Sequence, residues 1–343
     1  MIALARRLQE RGNRVIIGAG REHQALFRSE LPGLSYIELP GFRPVYSRFL
    51  PQYIYLFLQI PVLLFRIVRE HIALKSIIRN NHIDIVISDN RFGLWNKKIK
   101  TIYVTHQPLI PFPARLKFLE PAGIMLHRQA IKRYTLCFIP DLPGDLNISG
   151  RLSHGLKLPP NVRYVGIFSR FTGTASAGTA IMPDHSYNTV LLSGPEPQKG
   201  ILRTRLVSIL KDTKHKTVIL EGKPGDQQNQ TESGNIISIS HLPSAEMSTI
   251  ISGSNMIIAR PGYTSVMELI SLARSALLVP TPGQTEQEYL ARYLSEKGWF
   301  CTTPQNRLEI PVRAAANLIP AAEIIERSNI LIEKALDELL SKT

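Results

Sequence analysis

The 343-residue sequence predicts an α/β protein made of two Rossmann-like domains with parallel sheets facing a cleft. Three observations predict it. Short apolar runs that stop at Gly or Pro are followed, again and again, by stretches with apolar residues at helical spacing. The length suffices for two domains, each with its own core. A run of small residues, from Phe171 to Ala180, interrupts the pattern near the middle as a flexible linker does. The expected division is a first domain over 1–168, a linker over 169–186, a second domain over 187–310 and closing helices over 311–343 that pack back on the first domain.

In the first half, Ile2–Arg11 carries Leu4, Ala5 and Leu8 on one face and stops at Gly12, so it predicts a helix. Val15–Gly18 and Leu34–Leu39 read as strands. Tyr53–Arg79 is a long helical stretch whose Ile54–Val68 part is nearly all apolar. A membrane span needs about 20 apolar residues. This run is interrupted by Gln59, Pro61 and Arg66, so it is read as a core helix kinked at Pro61, with a face laid on a bilayer or a polyprenyl chain as the alternative. Strands follow at Asp84–Asp89, which ends beside Asn90, and at Ile102–Val104, which delivers Thr105, His106 and Gln107. Arg115, Lys117, His127, Arg128, Lys132 and Arg133 flank an apolar segment at Ile124–Ile131 and make a basic amphipathic surface. Tyr134–Pro140 and Val162–Ile167 are the last strands before the linker.

The second half alternates more regularly. Thr189–Pro195 opens with a strand; helix Ile201–Lys211, strand Val218–Leu220, loop Gly222–Asn235 and strand Ile236–Ile239 follow. The stretch from Asn255 to Leu294 organises the rest. It reads strand, Arg260-Pro261-Gly262, helix, strand, Pro280-Thr281-Pro282-Gly283, helix, which puts two turns at one sheet edge. Gly262 lets backbone approach an anion, and Thr264 and Ser265 offer hydroxyl and N–H groups at a helix N-terminus suited to phosphate. Glu268, further along that helix, can accept from the hydroxyls of a ribose. Gln284, Gln287 and Glu288 offer polar groups to a sugar ring.

RPGYTSVMEL followed by VPTPGQTEQEYLA resembles the C-terminal signature of glycosyltransferase family 28. Its peptidoglycan members add N-acetylglucosamine to undecaprenyl-linked muramoyl-pentapeptide. The resemblance is specific from about Leu191 to Leu294. It implies the GT-B arrangement, a UDP-sugar donor, and metal-independent transfer of a hexose-type sugar with N-acetylglucosamine as a candidate. It also implies that Gly262 holds the diphosphate, with Ser193 and Gly194 in a second phosphate loop. Glu268 would hold the ribose, the backbone of His241 and Leu242 the uracil, and Gln287 the sugar hydroxyls. Where the peptidoglycan enzyme has two adjacent glutamines, this chain has Gln287-Glu288. His106 stands in a turn like one that faces the acceptor in such enzymes, and is the catalytic candidate. LARRLQERGNRVIIGAG resembles the first helix and second strand of the N-terminal GT-B domain. The first strand and Gly-rich loop that normally precede it are expected to be missing.

Composition narrows the partners. Residues 1–170 hold 25 Lys and Arg against 10 Asp and Glu, a balance of +15, whereas the remainder balances to −1. Such a field attracts nucleic acid, an anionic lipid surface or a phosphorylated acceptor, and the lipid-linked or anionic acceptor is preferred because the apolar stretch lies in the same half. Aromatic-basic interleaving of the nucleic-acid modules is not seen, so nucleic acid is not an expected partner. No DxD pair or cysteine spacing suggests a metal, and no cofactor is expected beyond the UDP-sugar substrate. Cys137 and Cys301 stand far apart and suggest a reducing cytoplasm, with the chain peripheral on the cytoplasmic face of the membrane. Two other functions compete with transfer: a UDP-sugar 2-epimerase on the same fold, and a non-catalytic UDP-sugar-binding protein lacking the N-terminal loop.

Overall fold

The computed structural model describes residues 1–39, 59–172, 187–223, 229–310 and 318–341. Most of the expected linker, the start of the apolar run at Ile54–Val68 and the expected helix over 312–317 lie outside the described residues.

The chain opens with α1 (Ile2–Glu10), β1 (Ile16–Ala19), α2 (Arg21–Glu30) and β2 (Ser35–Glu38). Among the described residues no strand precedes α1, and β1 and β2 pair in parallel as a sheet of their own. Next come α3 (Ile60–Asn81), β3 (Ile85–Asp89), β4 (Lys100–Val104), α4 (Glu120–Ile131), β5 (Leu136–Ile139) and β6 (Val162–Tyr164). These four strands form one parallel sheet in chain order. Then follow β7 (Tyr187–Leu191), α5 (Gln198–Leu210), β8 (Lys216–Leu220), β9 (Gln230–Ser233), β10 (Ile236–Ile239), α6 (Ser244–Gly253), β11 (Met256–Ala259), α7 (Tyr263–Ser271), β12 (Leu277–Leu278), α8 (Thr285–Glu296) and β13 (Cys301–Thr302). The last helix is α9 (Ala321–Leu340).

Two compact units result, drawn differently from the sequence boundaries. One joins Met1–Pro40 to Phe168–Ala321, and the other joins Gly41–Ile167 to Ala322–Thr343. The reason α1 and α2 group with the C-terminal sheet lies in specific long-range bonds. Arg6 Nη1 donates to the Arg170 carbonyl at 3.0 Å, and its Nη2 lies 2.8 Å from Glu30. Glu30 in turn accepts from the Ser244 backbone N–H at 2.9 Å and from its hydroxyl.

In the first unit the large sheet runs β13-β12-β11-β7-β8-β10-β9. All pairings but β9–β10 are parallel. Parallel sheets are covered on both faces, and β7, β10 and nearly all of β11 are buried accordingly. Leu202, Leu206 and Leu210 repeat at helical spacing on α5 and pack with Val190, Ile219 and Ile258 of three strands. The segment read as a loop over Gly222–Asn235 contains β9, an antiparallel edge strand of entirely exposed polar residues. Without apolar alternation it gave no strand signal.

In the second unit, Pro61 does not kink α3. It lies in the first helical turn, where its missing N–H is not needed. Nor is α3 a core helix: only Glu70 and Leu74 are buried on it. Glu70 pairs with Arg91 at 2.8 Å, and His71 stacks on Trp95 with centroids 4.1 Å apart. Helix α9 is fastened to the same unit by Arg163, which forks onto Glu338 at 2.9 and 2.8 Å, and by Lys100, which caps the carbonyls of Leu339 and Ser341. A side chain at Gly166 would meet the Ser328 Cα at 2.3 Å, so only glycine permits that approach. Among the described residues, no helix is long and apolar enough to cross a membrane.

Candidate nucleotide-sugar site

Starting from β7, the parallel strands of the large sheet add β8 and β10 on one side and β11, β12 and β13 on the other. The direction of winding therefore reverses between β7 and β11. In open α/β sheets, ligands bind outside the carboxyl ends of the strands at that reversal. Leu191 of β7 lies opposite Ala259 of β11, and Leu278 of β12 opposite the same Ala259. The turns carrying Ser193 and Gly194, Gly262, and Gln284 thus follow three adjacent strand ends. His241 and Leu242 follow β10, two strands beyond β7. Four parts of the sequence converge on one sheet edge. His106 follows β4 in the other unit and is not part of this group; it is half-buried there.

Gly262 is the N-cap of α7, with φ −73° and ψ 136°, a conformation open to any residue. A side chain there would meet nothing nearer than Ser265 Oγ at 3.9 Å, so glycine leaves open space in front of the helix start. Thr264 is exposed and Ser265 half-exposed in the first turn. Gly194 has φ +93°, a left-handed conformation that favours glycine and turns the chain after Ser193.

Glu268 is nearly buried and already engaged. Arg170 Nε lies 2.8 Å from Oε1 and Nη2 lies 3.5 Å from Oε2, while the same guanidinium reaches Met247 Sδ and the Phe171 ring. Burial raises the Glu268 pKa, and the Arg170 charge opposes that rise. His241 is half-buried, with its pKa lowered by burial and by Arg170 against the pull of Glu30. Leu242 is buried, and Ser244 just beyond it is held by Glu30.

Gln287 and Glu288 bind their own turn. Gln287 Oε1 accepts from the Thr281 N–H at 2.9 Å, and Glu288 Oε1 accepts from the Gly283 N–H at 2.8 Å. Their side chains shape the Pro280–Gly283 backbone, and Gln287 is buried in doing so. Gln284 stands at the α8 N-cap without a side-chain cap bond.

Sequence reasoning missed Arg170, Glu30 and Arg260. Arg170 and Glu30 stand far from Glu268 and Ser244 in sequence, and no local pattern joins them. Arg260 follows an apolar strand at a Pro-Gly turn, where a charge ordinarily reads as solvated. It is instead 1% exposed.

Residues 204–319, about a third of the chain, match the glycosyltransferase family 28 C-terminal domain. A search of curated proteins finds no match. Among solved structures, the chain resembles the glycosyltransferase SnogD from Streptomyces nogalater, with a TM-score of 0.61 and 14% identity over 98% of this chain and 94% of that one. It also resembles the glycosyltransferase VinC in complex with DTDP, at 0.59 and 15% over 99% and 94%. A protein assigned as a UDP-N-acetylglucosamine 2-epimerase from Listeria monocytogenes matches at 0.55 and 13% over 99% and 84%. At such identities these likenesses establish the fold, which is GT-B.

Proposed function

We propose that this chain, a GT-B fold with a family 28 C-terminal domain over residues 204–319, transfers a hexose-type sugar from a UDP-sugar to a lipid-linked or anionic acceptor. One observation carries the reading. The open helix start at Gly262, the glycine turn after Ser193 and the Glu268 carboxylate all lie at the winding reversal of one parallel sheet. The α7 N-terminus offers N–H groups and a partial positive charge to the diphosphate. Arg170 and Glu268 place a guanidinium and a carboxylate where a ribose diphosphate has one use for each. N-acetylglucosamine is the candidate sugar, and His106 the candidate base on the acceptor side.

The acceptor's chemistry is read from the second unit. Its 21 Lys and Arg against 11 Asp and Glu leave +10, whereas the first unit has 20 against 16, or +4. On α3, Val62, Leu64, Phe65, Val68 and Ile72 are exposed, and Phe118, Met125 and Leu126 are exposed in and just before α4. His71 of α3 stacks on Trp95, and Arg133, just after α4, lies over the same ring at 5.7 Å. Exposed Arg69, Lys75, Arg115, Lys117, Lys132 and Arg133 accompany this apolar surface. That composition suits the headgroup region of an anionic bilayer, with the chain peripheral on its cytoplasmic face.

The test is direct. Calorimetry with UDP and TDP establishes whether the site binds a nucleoside diphosphate, and radiolabelled UDP-N-acetylglucosamine with a polyprenyl-linked acceptor establishes transfer. The epimerase neighbour makes one control necessary. Conversion of the donor to its 2-epimer without acceptor would replace transfer with epimerisation, and UDP binding without either reaction would leave a binding protein.

A further inference from the structure

Arg260 is the one buried arginine among the described residues. It is the largest of the fully buried side chains, at 1% exposure. Its Nη1 donates to the Val279 carbonyl at 2.9 Å, and its Nη2 donates to the Gln198 carbonyl at 3.0 Å and to Gln305 Oε1. All three acceptors are neutral. Among the described residues, no carboxylate pairs with it, whereas Arg6, Arg91, Arg151, Arg163, Arg170 and Arg203 each have one. Burying an arginine without a counter-charge is costly, and a fold that needs only a tether there has cheaper neutral donors.

The position explains what the charge is for. Arg260 directly precedes Pro261-Gly262, at the start of the diphosphate turn. Its acceptors are the residue just after β12, the first residue of α5 after the Ser193–Gly194 turn, and the segment after β13. One guanidinium therefore ties the start of the Gly262 turn to the residue before the Pro280–Gly283 turn and to the start of α5, four residues after Gly194. We infer that Arg260 supplies a fixed positive charge beneath the donor turns, stabilising the bound diphosphate through the protein while holding those turns in register. This rests on the nucleotide-sugar reading. Burial lowers the Arg260 pKa only to about 10, so the charge persists at neutral pH. With little water between, a buried charge acts on a nearby anion several-fold more strongly than it would across bulk water. A developing nucleoside diphosphate leaving group carries more charge than the bound donor and gains more from it.

The experiment compares a charged and an uncharged ligand on the full chain. UDP and uridine are titrated calorimetrically into the wild type, Arg260→Met, Arg260→Gln and Arg260→Lys. The expected result is a loss of UDP affinity on the order of tenfold or more in the Met and Gln variants, with uridine affinity held within about twofold and the Lys variant close to wild type. Parallel losses for UDP and uridine would reduce Arg260 to a tether and overturn the inference, as would unchanged UDP affinity in Arg260→Met. Failure of both neutral variants to fold counts against it in the same way. A wild type that binds neither UDP nor TDP instead removes the nucleotide-sugar reading itself.

Discussion

Arg170 and Glu268, 98 residues apart, form an ion pair at 2.8 Å with both side chains mostly buried. The carboxylate assigned to the ribose is thus positioned by a cation from the segment that enters the second half of the chain. A ribose at this place would meet an acceptor whose orientation is already set.

We predict that Glu268→Ala weakens UDP binding on the order of 100-fold, because two charge-assisted hydrogen bonds of roughly 1.5–3 kcal/mol each are lost and about 1.4 kcal/mol is tenfold. Calorimetry on the folded variant checks it, and unchanged affinity removes Glu268 from the site. Arg170→Met alone leaves a buried carboxylate without its cation and is expected to destabilise the protein by about 3 kcal/mol. In the double variant with Glu268→Gln that cost should largely disappear, which a double-mutant cycle in urea measures.

Glu30 is the second anchor. Its carboxylate ties α2 to Arg6 and to both the N–H and hydroxyl of Ser244 at the start of α6. Glu30→Ala removes a charged acceptor from a helix N-terminus and leaves the Ser244 donors buried, at a cost of about 2–3 kcal/mol. Amide exchange should accelerate in α1, α2 and the first turn of α6 before the rest of the chain. Uniform acceleration would show that Glu30 has no local role.

The exposed face of α3 predicts a two-part membrane affinity. Binding to anionic vesicles should fall steeply with salt, since surface charges are screened over about 8 Å at physiological ionic strength. Replacing Leu64, Phe65 and Val68, each exposed, with serine should remove the salt-resistant remainder and leave folding intact. Sedimentation with neutral and anionic vesicles separates the two parts. Absence of binding at low salt would mean that this face serves something other than a membrane.

His127 gives a pH prediction. It is buried against Phe92 and Tyr103, with Nε2 3.1 Å from the Tyr103 hydroxyl, and burial lowers its pKa from 6.5 to about 4. The unfolded chain takes up a proton below pH 6.5 that the folded protein refuses until about 4. The stability associated with the neutral ring is therefore present above 6.5 and lost as pH falls through this window, by about 3 kcal/mol. Denaturant titrations at pH 7 and pH 4.5 should show this loss in the wild type and a smaller one in His127→Gln. Equal losses would locate the acid sensitivity elsewhere.

What sequence alone determined is the local alternation and its chemistry. The β11 strand and the starts of α7 and α8 stand where apolar runs, Pro-Gly turns and helical spacing put them, because those signals act over a few neighbouring residues. Gly262, Thr264 and Ser265 suggest a phosphate, and Glu268 a ribose, from the same local signals. Tertiary structure decided the rest. On α3 only Glu70 and Leu74 are buried and Val62, Leu64, Phe65, Val68 and Ile72 are exposed, which its apolar sequence does not reveal because burial depends on what the rest of the fold places against it. The grouping of Met1–Pro40 with Phe168–Ala321 comes from Arg6, Glu30 and Arg170, whose bonds span tens to hundreds of residues. Gln287 and Glu288 accept from backbone amides of their own turn, a use of their side-chain oxygens that the residue types permit but do not specify. Arg260 is buried against the residue after β12, the start of α5 and the segment after β13, and no local pattern records a charge enclosed by neutral carbonyls and an amide from distant parts of the chain.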